Sequence, residues 1–152
     1  MMEEVTCPLT KGEKILVAVD GSENSEFALE QAFSMANTCN STLYAITVID
    51  VYPKHIEGTP GAKEQMQKEA EALLQKVAAR AKEKNIPVET AVHWGRHPHE
   101  AILNECKEKG VDLIVLGTHG RTGLKKFFMG SVAQKVVGYS RCPVMVVPPE
   151  HE

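Results

Sequence analysis

Leu113-Ile114-Val115-Leu116-Gly117-Thr118-His119-Gly120, continued by Arg121-Thr122-Gly123-Leu124-Lys125-Lys126-Phe127-Phe128-Met129-Gly130-Ser131-Val132, runs from the most apolar stretch of the chain into a segment of helical spacing. An apolar run this short, closed by glycine, reads as a buried strand. The glycines after it let the backbone take positive φ and approach a ligand closely, because no Cβ intervenes. Backbone N–H groups at such a turn, together with the N-terminus of the following helix, suit an anion such as phosphate.

The chain on either side repeats the same alternation. Lys14 to Val19 is an apolar run that stops at Asp20-Gly21-Ser22, and Ser22 is placed to cap a helix reaching about Thr38. Thr42 to Ile49 is β-branched and aromatic, a second strand. The stretch from 50 to 61 holds Pro53, Gly58, Pro60 and Gly61 and reads as a loop whose role the sequence leaves open. Met66, Ala70, Leu73, Leu74, Val77 and Ala81 then mark a helix to about Lys84. Val88 to His93 is a third strand. Pro98 suits the first position of a further helix that Gly110 would end. Asp112 to Leu116 is the fourth strand, Val132 to Val137 a short helix, and Pro143 to Val147 a fifth strand closed by Pro148-Pro149. Strands alternating with helices in this way predict an α/β domain on a mainly parallel sheet, with helices on both faces. Residues 1–12 lack periodicity and read as an N-terminal tail before a single domain over 13–149.

Composition narrows the function. A chain of 152 residues with 43% hydrophobic content can bury a substantial core, and a formal net charge of −3 predicts neither nucleic acid nor an anionic membrane as partner. No apolar run nears the ~20 residues that span a bilayer, and Met1-Met2-Glu3-Glu4 is not a signal peptide, so a cytoplasmic protein is expected. Cys7, Cys39, Cys106 and Cys142 form no CxxC pair and are expected to be free thiols, Cys39 and Cys106 as small buried hydrophobes. His97-Pro98-His99 with His93 invites a metal, but no second ligand cluster completes a tetrahedral set, and no metal site is expected.

The sequence has no GxxxxGK[ST], no GxGxxG after the first strand, no GxSxG and no HExxH, which removes the P-loop, the usual dinucleotide fold, serine hydrolases and zincins. What stands is Gly-x2-Gly-x9-Gly-Ser, filled by Gly117, Gly120, Gly130 and Ser131. Arg121, Lys125 and Lys126 lie between its halves and can balance phosphate charge or stay solvated. By spacing alone an ordinary glycine-rich loop fits the pattern equally well. His119 either meets phosphate or fills the turn, and Trp94, just before a turn, reads as packing.

DLIVLGTHGRTGLKKFFMGSVAQKVV, with KILVAVDGS before it, WGRHPHEAI in the middle and CPVMVV at the end, resembles the universal stress protein family, and within it the branch that keeps the glycine motif and binds ATP. The likeness runs from about Lys14 to Val147. It implies a five-stranded parallel sheet in order 3-2-1-4-5, Rossmann-like and of the adenine nucleotide alpha-hydrolase type. Carried over, Asp20 lies near ribose and phosphates, Val48 meets the adenine edge through its backbone, and Ala18 and Leu116 floor the site. Gly117, Gly120, Gly130 and Ser131 hold phosphate, Val132 continues the cradle, and Arg121 stands where the family often has Arg or Lys. Further implications are ATP as ligand, with Mg²⁺ held by its phosphates, and a homodimer paired through strand 143–147. No residue is assigned a catalytic role; with no general base evident beyond Asp20, hydrolysis is expected to be slow at most. The alternatives are a genuine ATPase or nucleotidyl transferase on a related fold, and an interaction module without nucleotide.

Overall fold

The computed structural model describes residues 5–50, 58–119 and 129–149. Five strands, β1 (Lys14–Ala18), β2 (Thr42–Asp50), β3 (Val88–Gly95), β4 (Leu113–Gly117) and β5 (Val144–Val147), form one sheet in the order β3-β2-β1-β4-β5. Every pairing is parallel, with Ile15 opposite both Leu43 and Leu113, and Gly117 opposite Val147. Among the described residues four helices lie between them: α1 (Glu23–Cys39), α2 (Ala62–Glu83), α3 (Pro98–Lys109) and α4 (Ser131–Tyr139).

Local chemistry sets the helix ends. Ser22 Oγ accepts from Ser25 N at 3.1 Å and caps α1, and Asn40 ends that helix in the left-handed region at φ 53°. Gly110, at φ 65°, terminates α3 behind its N-terminal proline. β3 runs on to Gly95, so Trp94 stands on the strand opposite Ile49 and not merely before a turn; its Nε1 donates to Gln67 Oε1 of α2 at 2.7 Å.

Because side chains alternate along a strand, a sheet covered on both faces needs apolar residues at every position. Ile15 and Val17 of β1 with Leu113 and Val115 of β4 pack beneath α1 and α2, around Leu29, Phe33, Leu74 and Val77. Leu16, Ile114, Leu116, Tyr44 and Ile46 point the other way, to Ile102 of α3 and to Ala133 and Val136 of α4. Asp112 Oδ2 accepts from the backbone N–H groups of Glu13 at 2.9 Å and Lys14 at 3.0 Å, which registers the entry of β1 against that of β4.

The cysteines correct the sequence reading. Cys7 and Cys39 are joined as a disulfide, so the tail from residue 5 is fastened to the last residue of α1, and neither sulfur is a free thiol. Spacing offered no sign of it, since 32 residues separate the two in the chain. Gly12 lies against this bridge; a Cβ there would come within 2.8 Å of Cys7 Sγ. Cys106 and Cys142 are free and half-buried.

Candidate functional site

β1 and β4 are neighbours at the centre of the sheet, so the turns that follow them open side by side at its carboxyl end. This is the switch point, with β2 and α1 leaving to one side and β5 to the other, where parallel α/β sheets take their ligands. The Asp20-Gly21-Ser22 turn is ordered from within. Asp20 Oδ1 accepts from Ser22 N at 2.9 Å, Ser25 Oγ accepts from Asp20 N at 3.3 Å and donates to Ser22 O at 3.0 Å, and Gly21 takes φ 82°. Asp20 is thereby held at the rim with its carboxylate beside the start of α1.

The second turn is tied to the first by a residue the sequence reading passed over. Asn24, in the first turn of α1 and 9% exposed, donates from Nδ2 to His119 O at 3.1 Å. Its side chain occupies the space above Gly117, where a Cβ would lie 2.0 Å from Asn24 Nδ2. The absence of a side chain at Gly117 therefore makes room for Asn24. The signal was present: Asn24, Ala28, Ala32 and Ala36 recur every fourth residue, so a polar group stands on the buried stripe of α1. Buried polar groups persist where they are satisfied or used.

Gly130 closes the arrangement. It precedes α4 in extended conformation, its N–H donates to Thr118 O at 2.6 Å, and a Cβ would approach that same backbone oxygen to 2.9 Å. Thr118 N in turn donates to Val147 O of β5 at 3.0 Å. The two separated halves of the glycine motif thus meet at Thr118. Among the described residues no side chain caps α4, whose first turn opens with the N–H groups of Ser131 and Val132, and Ser131 is exposed. Ala18, Val48, Leu116 and Val132 converge on one face of the sheet, all members of the cluster between the sheet and α3 and α4. Gly120 and Arg121, with Lys125, Lys126, Phe127 and Phe128 and most of the 50–61 loop, lie outside the described residues.

The atoms left open suit a polar ligand with hydrogen-bonding groups of its own. Asn24 Oδ1 and His119 Nε2 are buried and have no hydrogen-bond partner among the described residues. His119 Nδ1 is engaged with Thr118 Oγ1 at 2.9 Å, which orients the ring. An unpaired buried acceptor costs about 1–3 kcal/mol, so partners supplied by a ligand would stabilise the folded chain. Among the described residues no three His, Cys, Asp or Glu side chains are grouped to hold a metal ion. His93 is drawn away to Glu105 of α3, with Nε2 3.1 Å from Oε2, while His97 and His99 have ring centroids 5.9 Å apart. No helix among the described residues is long and apolar enough to cross a membrane.

With this geometry in place, comparison with known proteins gives one answer. The sequence profile of the universal stress protein family matches residues 12–148. The universal stress protein YxiE of Bacillus subtilis is 37% identical over 147 residues, covering 88% of this chain and 97% of its own. The universal stress protein MJ0531 of Methanocaldococcus jannaschii is 36% identical over 140 residues, covering 88% and 81%. The solved structure of MJ0577, from the same archaeon, superposes with a TM-score of 0.81 at 28% identity, covering 92% of this chain and 98% of that one. A family member from Arabidopsis thaliana, solved with AMP bound, shares the fold at a TM-score of 0.66 and 23% identity, covering 91% and 92%.

Proposed function

The chain belongs to the universal stress protein family, and from that premise we propose that it is an ATP-binding regulatory protein whose ligand lies across the carboxyl ends of β1 and β4. The observation that carries the reading is the junction at Thr118, where Gly130, the start of α4, and the Asn24-anchored turn after β4 come together with no room for a Cβ at Gly117 or Gly130. In this reading Ser131 and Val132 present N–H groups, and the Ser131 hydroxyl, to phosphate, and Gly120 and Arg121 complete the cradle. Asp20 faces the ribose, Val48 meets adenine through its backbone, and Ala18 and Leu116 form the floor. Mg²⁺ would be carried by the phosphates. AMP and cAMP are bound by proteins of this fold, which supports an adenine nucleotide as the class of ligand. The nucleotide acts as a bound effector, with at most slow hydrolysis, in a cytoplasmic protein that answers stress.

The test is thermal unfolding of protein shown to be folded and free of nucleotide. ATP at a hundredfold excess over Kd should stabilise it by ~2.7 kcal/mol. No shift with ATP, ADP or AMP would end the proposal. Mass spectrometry of whatever small molecule leaves the purified protein on denaturation supplies an independent check.

We further infer a homodimer paired through the segment 143–147. β5 is an edge strand whose Val144, Met145 and Val146 are only half-buried, and edges of this kind are usually covered. Met145→Asp is expected to shift sedimentation from dimer to monomer, and a variant that still sediments as a dimer places the interface elsewhere.

A further inference from the structure

Across the sheet face from α1, at the end opposite the nucleotide site, two free thiols face each other. Cys106, in the last turns of α3, has its Sγ 3.4 Å from the Sγ of Cys142, which lies two residues before β5 in the turn that follows α4. Both are half-buried, and so within reach of a small solute. A disulfide needs about 2.05 Å between sulfurs, so the pair stands about 1.4 Å from bonding distance. The turn is held for this approach. Ser140 Oγ accepts from Cys142 N at 3.2 Å and lies 3.5 Å from Cys142 Sγ.

The two sulfurs are not equivalent. The hydrogen bond with Cys106, aided by the Ser140 hydroxyl and opposed by burial and Asp112, draws the Cys142 thiol below its ordinary range. Cys106 is pushed up in turn, first by its hydrogen bond to Cys142, then by burial, the Cys142 charge and Asp112. Cys142 Sγ has a second neighbour in the Ser140 hydroxyl, 3.5 Å away, while the Cys106 thiol also faces Val111 O at 4.0 Å, a division that suits a nucleophilic sulfur and a resolving thiol.

We propose that Cys106 and Cys142 form a peroxide-reactive dithiol, with Cys142 attacking first and Cys106 resolving, and that oxidation closes a disulfide between α3 and the turn leading into β5. The Cys142 thiolate attacks one oxygen of a hydroperoxide. The S–O bond forms as the O–O bond breaks, and the alkoxide or hydroxide released takes up a proton from water. Cys142 is then a neutral sulfenic acid, and the negative charge that held the Cys106 proton is gone. Cys106 loses that proton and attacks the Cys142 sulfur; the S–S bond forms, the S–O bond breaks, and hydroxide leaves with the proton as water. Two thiols give up two electrons and one peroxide accepts them. This chemistry is independent of the nucleotide site.

The full chain, with Cys7–Cys39 bonded, is exposed at pH 7 to a small excess of hydrogen peroxide and then alkylated and mapped. The expected product is about 2 Da lighter, carries a Cys106–Cys142 linked peptide, and returns to the dithiol with dithiothreitol. In Cys106→Ala, dimedone should trap a sulfenic acid on Cys142, and in Cys142→Ala the remaining Cys106 should stay reduced under the same exposure. The pH at which alkylation of Cys142 is half-maximal should be lower in the native chain than in Cys106→Ala. Quantitative alkylation of both cysteines after peroxide overturns the proposal. So does dimedone labelling of Cys106 in Cys142→Ala, which reverses the roles.

Discussion

Phe33→Ala is expected to destabilise the chain by about 3–5 kcal/mol, the range for deleting a fully buried aromatic ring. Phe33 is 1% exposed and sits on α1 between the sheet and α2, in the same cluster as Val17, Leu43, Leu74 and Val77. Its ring also carries the cations that close the α1–α2 seam: the Arg80 guanidinium lies 5.3 Å and the Lys84 ammonium 5.7 Å from the ring centroid. Arg80 in turn reaches Glu26 at 2.6 Å and Glu30. These pairs are a third to a half exposed, so each adds little by itself. Truncating the ring removes their platform along with the packing. Domains commonly hold about 5–15 kcal/mol in total, so a loss of this size takes a large share. The urea midpoint should fall with the m-value unchanged, while Phe33→Leu, which refills most of the space, should recover most of the loss. A stability loss in Phe33→Ala of under about 1 kcal/mol would mean that α1 is not anchored here.

The fold was legible in sequence through its periodicity. Alternating apolar runs and helical stripes each have one physical solution in a parallel sheet, so the five strands and four helices among the described residues fall where periodicity placed them. The capping serine at 22, the proline at 98 and the glycine at 110 act locally, and each does what its chemistry predicts. What spacing could not reach are relations between distant residues. The bond between Cys7 and Cys39 and the approach of Cys106 to Cys142 depend on how the elements pack, and the sequence distances say nothing of it. The site divides in the same way. Gly117 was visible as a glycine after a strand, but the reason that no Cβ fits above it, the side chain of Asn24, lies 93 residues earlier and becomes apparent only when α1 lies against β4. A glycine motif marks where the backbone must come close; whether to ligand or to protein is decided in three dimensions.

Gly130→Val is expected to abolish the thermal stabilisation by ATP. The wild-type shift, ~2.7 kcal/mol at a hundredfold excess over Kd, corresponds to roughly 5–11 °C for a domain of this size. Gly130 has φ −63° and ψ 161°, which any residue can adopt, so the backbone itself does not demand glycine. Space does. The first carbon of a side chain would already be 2.9 Å from Thr118 O, and the valine methyls extend further into the volume between that turn and the opening of α4. To relieve the contact, α4 must withdraw from Thr118, stretching the Gly130 N to Thr118 O bond of 2.6 Å and moving the N–H groups of Ser131 and Val132 away from where phosphate would sit. Gly138→Ala is the control on the same helix. No atom of the described residues lies within 4 Å of a Cβ there, and exchanging a helical glycine for alanine stabilises by roughly 0.5–1 kcal/mol, so it should raise the melting temperature of the free protein and leave the ATP shift intact. Loss of the shift in Gly130→Val, with a native near-ultraviolet dichroism spectrum and the shift kept in Gly138→Ala, locates the phosphates at the Thr118 junction. An unchanged shift in Gly130→Val would detach the ligand from this half of the motif, leaving Gly130 only the task of letting α4 close on the sheet.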